Sequence, residues 1–253
     1  MMIATPAWPP RSTPRLYVPA PLAPGARRID GPAAHYLAQV MRLKAGDAVK
    51  LFDDATGEWL AVVESAGRRD LTLDVRERLA EREAVPDLWL LAAPLKKGRI
   101  DWMAEKACEL GVARFVPVVT RRTVVDKPNT DRLRAHMIEA AEQCGRTALP
   151  EVAEPVKLAA LLRGWPVDRK LYFADEQGGA PARAAMRPGA AAILIGPEGG
   201  FDDDERALIR ATPGAVPISL GPRILRADTA AAAAISVWMA NAGDWGQGRG
   251  DRE

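Results

Sequence analysis

Two glycine-containing loops, GPEGGF at residues 196–201 and LGPRILR at residues 220–226, stand in the last third of the chain. Each loop comes at the end of a short apolar run, at residues 191–195 and 216–220, and a helical pattern follows it. Glycine between a strand and a helix permits positive φ and lets the backbone approach a ligand closely. Because open α/β sheets bind ligands at the carboxyl ends of their strands, the two loops predict a ligand site on an α/β domain.

The first loop does not have the glycine pattern of a phosphate-binding loop. It lacks the GK[ST] ending of a P-loop and the spacing of GxGxxG, and Glu198 would repel a pyrophosphate. A carboxylate suits a cationic or hydrogen-bond-donating ligand, such as S-adenosylmethionine with its sulfonium, ammonium group and ribose hydroxyls. In the second loop, Ile224 and Leu225 could form an apolar wall for an adenine, while Arg226 suits an anionic RNA group.

The region around these loops, from residue 87 onward, alternates short apolar runs with longer helical patterns. This alternation is typical of βαβ units on a parallel sheet. The expected elements are strands at 88–92, 113–120, 171–174, 191–195 and 216–220, and helices at 98–110, 129–146, 203–211 and 229–241. Asp202 and Glu205 have the spacing of a capping box, so the acidic residues 202–205 are expected to cap a helix rather than bind a metal.

The first third of the chain has a different pattern, in which short strands are separated by turns. The expected elements are a helix at 33–43 and strands at 15–18, 48–52, 59–64 and 70–75. Such closely spaced strands predict a small β-barrel. The charged run at residues 76–83 is interpreted as a solvated linker. The predicted organisation is a flexible proline-rich segment at 1–14, a barrel at 15–82, an α/β domain at 83–243 and a flexible tail at 244–253.

The composition excludes several classes of protein. With 48% hydrophobic and 27% charged residues and a net charge of +2, the chain resembles an ordinary soluble globular protein. No apolar run approaches the roughly 20 residues that span a bilayer, and the start of the chain lacks the pattern of a secretory signal, so a cytoplasmic protein is expected. Cys108 and Cys144 have no partners at metal-ligand spacing, which predicts neither a disulfide framework nor a metal site.

Six motifs in order give the chain a resemblance to a known family. Besides IGPEGGF and SLGPRILRADTA, they are RLYV at 15–18, HYLAQVMRLKAGD at 35–47, LKKGRIDWMAEKACELGVARFVPVVTRRT at 95–123 and AEQCGRTALPEV at 141–152. The chain thereby resembles the bacterial small-subunit (16S) ribosomal RNA uracil-N3 methyltransferases, a branch of the SPOUT superfamily. The resemblance implies an N-terminal PUA-like β-barrel that binds RNA, a C-terminal SPOUT α/β domain with a C-terminal trefoil knot, and a homodimer with S-adenosylmethionine at the knot.

The resemblance and the loop chemistry together predict the residues of the site. The expected cofactor-binding residues lie in or beside the two loops: Ile195, Gly196, Pro197, Glu198, Gly199, Gly200, Leu220, Gly221, Ile224, Leu225 and Thr229. Methylation of uracil N3 requires loss of the imide proton. We therefore expect Arg226 to stabilise the developing charge or orient a phosphate, with Glu198 or Asp228 as proton acceptor. A simpler alternative is that Arg226 only forms an ion pair with one of these carboxylates. The family commonly has glutamate where this chain has Asp228.

Basic residues outside the loops are the expected RNA contacts. Lys96, Lys97 and Arg99 precede a predicted helix, where the helix dipole disfavours cations, so they point to phosphate contacts. The remaining expected RNA-binding residues are Arg15, Arg42, Arg121 and Arg122. Two alternative functions are a methyltransferase of the same fold that acts on another RNA base or on a ribose, and a catalytically inactive relative that binds RNA.

Overall fold

The computed structural model describes residues 13–67 and 70–246. The chain forms two compact units, Met1–Ala84 with Ala141–Ala148, and Val85–Ala140 with Leu149–Glu253. Most of the predicted proline-rich segment, residues 1–12, and most of the predicted tail, residues 247–253, lie outside the described residues. Within the described part of the chain, no helix is both long and apolar enough to cross a bilayer.

The first unit contains a five-stranded sheet in the order β1-β3-β4-β5-β2. Its strands are β1 (Arg15–Tyr17), β2 (Gly25–Asp30), β3 (Ala48–Asp53), β4 (Gly57–Ala66) and β5 (Asp70–Ala80). All pairs are antiparallel except β1 with β3. Helix α1 (Gly31–His35) continues into a π-helical turn, Tyr36–Val40. The observed helical segment therefore begins two residues before the predicted start at residue 33. Register shifts between β4 and β5 mark bulges, which bend the sheet.

Two expectations for this unit were wrong or incomplete. Residues 76–80 are not linker but the second half of β5, which pairs with β4 as far as Ala80. Their side chains are exposed, so the charge run is the solvated end of a strand. Strand β2 was not predicted, because Ile29 is its one buried residue and the stretch GARRID has no apolar alternation. The core of the sheet consists of side chains that alternate inward along the strands, among them Val49, Leu51, Leu71 and Leu73.

Asp53 is a buried carboxylate at the end of β3 that organises the turn into β4. It accepts hydrogen bonds from the backbone N–H groups of Leu22, Ala55 and Thr56 and from the Thr56 hydroxyl. Burial by itself would raise the pKa of Asp53, but the backbone hydrogen bonds from Thr56, Ala55 and Leu22 outweigh it and hold the pKa below the ordinary value of 3.8. Because the folded-state pKa is depressed, the stabilisation is complete above the ordinary pKa and is lost as pH falls through the lower folded value.

Replacing Asp53 with asparagine is expected to lower the free energy of unfolding at pH 7 by about 2–4 kcal/mol, because several donors lose a charged acceptor. The deficit should shrink as pH falls below the ordinary pKa of 3.8, because the unfolded wild-type chain then binds a proton that the folded carboxylate resists. Urea unfolding at pH 7 and pH 3 measures both values. Asp54→Asn is the control, since Asp54 is more exposed and its loss should cost less than about 1 kcal/mol. Equal losses in the two variants would contradict a special role for Asp53.

The second unit is built on a parallel sheet with the order β11-β13-β10-β12-β6-β7-β8, and β9 pairs with β7. Its strands are β6 (Leu88–Ala92), β7 (Arg114–Val119), β8 (Glu151–Val152), β9 (Val156–Lys157), β10 (Lys170–Ala174), β11 (Ala180–Pro181), β12 (Ala191–Ile195) and β13 (Ala215–Ser219). The helices are α2 (Arg99–Glu109), α3 (Thr130–Cys144), α4 (Leu158–Arg163), α5 (Ala182–Ala185), α6 (Asp203–Ala211) and α7 (Ala227–Ala242).

Every strand and helix predicted for this region is present, with ends that differ by at most two residues. The elements that sequence patterns missed are short: the two-residue strands β8, β9 and β11 and the helices α4 and α5. The central strand β12 is buried along its whole length, which explains its continuous apolar sequence. The alternating pattern of strands and helices therefore predicted the parallel α/β architecture correctly.

The acidic run at the start of α6 caps the helix, as predicted. Asp202 Oδ1 accepts a hydrogen bond from the Glu205 backbone N–H at 2.8 Å, and Glu205 Oε2 accepts one from the Asp202 N–H at 3.3 Å. The pKa of Asp202 lies below its ordinary value, first because of the bond from Glu205 and then because of the nearby Arg121 guanidinium. Burial opposes this shift but is outweighed. The loop 196–201 is thus anchored at its carboxyl end by a rigid helix start.

Candidate functional site

Three neighbouring strands end at one edge of the parallel sheet. Strand β10 lies between β12 and β13, so the loops that follow Ala174, Ile195 and Ser219 converge. They surround a cavity of about 560 Å³. This volume falls within the range of about 300–1,000 Å³ that is usual for small-molecule sites. The two loops singled out in the sequence therefore share one cavity, and the end of β10 separates them.

The GPEGGF loop owes its shape to its glycines. The Gly200 N–H donates to the Pro197 carbonyl at 2.9 Å, and Gly200 has a φ of +66°, in the left-handed region. A Cβ atom at Gly196 would lie 3.1 Å from the ring of the buried Phe201. Glu198 projects from the tip of this turn, with 54% of its side chain exposed. The loop thus presents its backbone and one carboxylate to the cavity.

The second loop forms another wall of the cavity. Gly221 has a φ of +113°, which a glycine adopts at no steric cost. Ile224 lines the cavity but is 93% exposed, so it stands at the rim. Arg226 is exposed and is the N-cap residue of α7, without a capping hydrogen bond from its side chain. The loop therefore offers an apolar edge beside a cation at the mouth of the cavity.

The loop after β10 is the part of the site that sequence reasoning missed. The Asp175 carboxylate is completely buried and accepts hydrogen bonds from Arg206 Nε at 3.0 Å and from Arg210. Glu176 lies 3.3 Å from Arg206 Nη2, and its Oε1 would be 2.5 Å from a Cβ at Gly200. The signal was the polar and glycine-rich stretch DEQGG at 175–179, directly after a predicted strand.

The predicted cofactor-binding residues are largely brought together by the fold. The cavity is lined by Ile195, Gly196, Pro197, Glu198, Gly200, Leu220, Gly221, Ile224 and Leu225, and by Arg226. Gly199 and Thr229 are outside this lining. Asp228 is outside it as well, and accepts hydrogen bonds from the Thr229 N–H at 2.8 Å and from Arg99 Nη1 at 3.5 Å.

Arg99, not Arg226, contacts the two carboxylates that the sequence suggested as proton acceptors. Its Nε lies 3.9 Å from Glu198 Oε1, and its Nη1 lies 3.5 Å from Asp228 Oδ2. Among the residues that the structure describes, Arg226 forms no ion pair. The simpler interpretation of Arg226, an ion pair that only fixes the loop, is therefore not supported, and its guanidinium is available to a ligand.

Some of the predicted RNA-binding side chains are exposed to solvent, and others form contacts within the protein. Arg15 is 11% exposed, forms an ion pair with Glu58, donates to the Arg146 carbonyl and covers the Phe52 ring at 4.3 Å. These contacts lie within the first unit and leave little of the Arg15 side chain exposed, so they do not favour an RNA contact by Arg15, which stays a prediction. The exposed cations are Arg42, Lys96 and Lys97, and Arg99 is half-buried.

Arg121 and Arg122 are exposed but point toward other parts of the same unit. Arg121 Nη1 contacts the carboxylates of Asp202 and Asp204, each at 2.8 Å. The hydrogen bonds that Arg121 donates to the Asp204 and Asp202 carboxylates raise the pKa of Arg121 above its ordinary value. Arg122 Nη1 donates to the Gly199 carbonyl at 2.6 Å. Arg122 therefore contacts the GPEGGF loop, and Arg121 contacts the start of α6.

Comparison with known proteins identifies the family. Residues 81–239 match the family model of an RNA methyltransferase domain, and residues 29–76 match that of an RNA methyltransferase PUA domain. The chain belongs to the RNA methyltransferase family. The cavity lies entirely within the part of this RNA methyltransferase that matches the methyltransferase domain.

Curated relatives of this RNA methyltransferase carry the name ribosomal RNA small subunit methyltransferase E. The protein from Rickettsia conorii is 30% identical over 207 residues, which cover 80% of this chain and 84% of that protein. The protein from Bacillus subtilis is 31% identical over 224 residues, or 82% of this chain and 87% of that protein. The predicted family is therefore confirmed.

Solved structures agree with the fold. A methyltransferase from Legionella pneumophila in complex with SAM is 31% identical, with a TM-score of 0.83 over 92% of this chain and 99% of that chain. A second structure is the ribosomal RNA small subunit methyltransferase E from Neisseria gonorrhoeae, bound to S-adenosyl methionine. It is 26% identical, with a TM-score of 0.83 over 92% of this chain and 99% of that chain. The predicted combination of a PUA domain with an α/β methyltransferase domain is confirmed.

Proposed function

We propose that this RNA methyltransferase transfers the methyl group of S-adenosylmethionine to N3 of a specific uridine in the 16S RNA of the small ribosomal subunit. The observation that carries the proposal is the cavity formed by three loops at neighbouring strand ends. The similarity over 80% of the chain to a protein named ribosomal RNA small subunit methyltransferase E supports the substrate.

The residues around the cavity fit this cofactor. The backbone is accessible at Gly200 and Gly221, where a positive φ opens the turn, and Ile195, Leu220 and Leu225 provide apolar surface for an adenine. The Glu198 carboxylate suits the positive charges and hydroxyl groups of the ligand. When bound, S-adenosylmethionine supplies an electrophilic methyl group, and the protein aligns the two reactants and excludes water.

The positions of Arg226 and Glu198 support a role for each in the reaction on uracil. Both line the cavity, and Arg226 is exposed at its mouth, where an unstacked base can reach it. We assign to Arg226 the stabilisation of negative charge that develops on the uracil as N3 loses its proton. We assign the role of proton acceptor to Glu198 because it lines the cavity and Asp228 does not. Arg99 lies near both carboxylates, but Asp228 also accepts a hydrogen bond from the Thr229 N–H.

The same proposal includes the remaining features of the family resemblance. The barrel at residues 15–82 binds RNA, the α/β domain at residues 83–243 carries the catalytic site, and the enzyme acts in the cytoplasm, where the ribosomal RNA is located. The chain end of the α/β domain threads a trefoil knot, and two copies form a homodimer. Light scattering of the purified protein tests the dimer. An experimental structure in which the end of the α/β domain passes through no loop would overturn the knot.

Primer extension on 16S RNA from cells with and without the protein tests the reaction. An N3 methyl group blocks the pairing edge of uracil, so reverse transcription should stop at one uridine, and the stop should disappear when the protein is deleted. A stop that persists in the deletion strain contradicts the assignment. Mass spectrometry of the nucleosides distinguishes N3-methyluridine from a methyl group on another base or on a ribose.

The exposed Lys96 and Lys97 before α2 are expected to contact RNA phosphates. The double variant Lys96→Ala/Lys97→Ala should reduce the slope of log affinity against log salt by about 2, because each phosphate contact releases roughly one counterion. Filter binding to a 16S fragment at several salt concentrations measures the slope. The control Lys157→Ala/Arg163→Ala removes two exposed cations from the same unit. A similar reduction in the control would refute specific contacts by Lys96 and Lys97.

A further inference from the structure

The loop after β7 reaches the GPEGGF loop from outside the cavity. Strand β7 is separated from β12 by β6, so this contact joins loops of non-adjacent strands. Arg122 Nη1 donates a hydrogen bond of 2.6 Å to the Gly199 carbonyl. The stem of Arg122 also covers the Gly199 Cα, because a Cβ built at Gly199 would lie 3.3 Å from Arg122 Cδ and 3.5 Å from its Cβ. Because Gly199 has no side chain, the stem of Arg122 can lie over its Cα while the guanidinium donates to its carbonyl.

The turn that carries Arg122 is itself anchored. The Thr120 N–H donates to Thr123 Oγ1 at 2.9 Å, and the Thr123 N–H donates to the Thr120 carbonyl at 3.2 Å, which closes the turn. The Arg121 N–H donates to Glu205 Oε1 at 2.8 Å, and the other oxygen of Glu205 takes part in the capping box. The backbone of Arg122 thus belongs to a turn that is bound to the first turn of α6, and its guanidinium is bound to the Gly199 carbonyl.

The contacts of the GPEGGF loop separate an outer side from an inner side. Gly196, Pro197, Glu198 and Gly200 line the cavity, whereas Gly199 and Arg122 are not part of the lining. Arg122 therefore contacts the loop at Gly199 and not from within the cavity. Any influence that it has on the cofactor is transmitted through the Gly199 carbonyl.

We propose that Arg122 is a positioning residue that holds the GPEGGF loop in its cofactor-binding form through the Gly199 carbonyl, and that it is not an RNA contact. A hydrogen bond from a charged donor is stronger than one between neutral groups, and this one acts on a loop whose backbone forms a wall of the cavity. The proposal replaces the expectation that Arg122 binds RNA. It rests on the proposed function, because the affected ligand is S-adenosylmethionine.

Calorimetric titration of S-adenosylmethionine into the RNA-free protein tests the proposal. Arg122→Ala should weaken binding about tenfold, the effect of losing one charge-assisted hydrogen bond. Arg122→Lys should recover part of the affinity, since an ammonium group can donate to the same carbonyl. Lys127→Ala, which removes an exposed cation shortly after the same turn, should bind the cofactor like the wild type. The affinity of Arg122→Ala for RNA, and its salt dependence, should not change.

A double-mutant cycle with Gly199→Ala provides a second readout. The new methyl group crowds the Arg122 stem, so it should weaken cofactor binding in the wild-type background and much less in Arg122→Ala. Additive effects would overturn the proposal, as would wild-type cofactor affinity in Arg122→Ala together with a reduced salt slope for RNA. A wild-type protein that binds no S-adenosylmethionine would refute the proposed function and this inference with it. If Arg122→Ala does not melt cooperatively, the cofactor affinities of Arg122→Lys and Gly199→Ala test the proposal instead. Wild-type affinity in both variants would then overturn it.

Discussion

Replacing Arg226 with alanine is expected to lower the rate of methyl transfer about a hundredfold to a thousandfold, because the developing charge on the uracil loses its preorganised cation. The fold should remain intact. Arg226 makes no capping hydrogen bond, and its φ of −65° and ψ of 152° suit alanine. Affinity for S-adenosylmethionine should therefore stay close to that of the wild type. Single-turnover methylation at saturating cofactor, with calorimetry of cofactor binding, measures the two effects separately.

Two further variants make this experiment specific. Arg226→Lys keeps the charge but not the planar set of donors, and its rate should be intermediate. Arg163→Ala removes an exposed arginine from α4, away from the cavity lining, and should retain full activity. An unchanged rate in Arg226→Ala would remove Arg226 from the reaction.

Replacing Asp175 with alanine is expected to lower the free energy of unfolding by about 3–5 kcal/mol, because it leaves the charge of the buried Arg206 without its buried partner. The Asp175 carboxylate is fully buried, and 7% of the Arg206 side chain is exposed. Asp175 also begins the third loop of the cavity, so cofactor binding should weaken as well. Urea unfolding followed by circular dichroism gives the stability, and calorimetry gives the affinity.

Asp203→Ala is the matched control for this prediction. Asp203 pairs with the same Arg206, at 3.3 Å, but 96% of its side chain is exposed. Water screens such a pair, so the loss should be less than about 1 kcal/mol. If the two substitutions lower the free energy of unfolding equally, burial of Asp175 does not determine the strength of its interaction with Arg206.

Local sequence signals identified the parts of this protein that depend on residues close together in the chain. The spacing of Asp202 and Glu205 predicted a capping box, which the structure contains. Apolar runs predicted β6 and β12 with their observed ends. The glycines of the two loops predicted backbone turns, and Gly200 and Gly221 do have positive φ.

Charged residues were the least predictable, because their partners lie far away in sequence. The residues around Arg15 and Arg122 in the sequence do not indicate that Arg15 pairs with Glu58, 43 positions away, or that Arg122 reaches Gly199, 77 positions away. The run at residues 76–80 became strand because β4 offered a partner edge. No periodicity within the segment indicates such an edge.

The sequence by itself determined the family, the strand–loop–helix units and the two loops that carry the cavity. Only the tertiary structure decided that β10 lies between β12 and β13, which brings Asp175 and Glu176 into the site. It also decided that Arg99 and Arg122 contact the first loop. The physical reason is the range of the interactions. Helix caps, turns and apolar periodicity act over a few residues, whereas strand order and ion pairing depend on the packing of the whole unit.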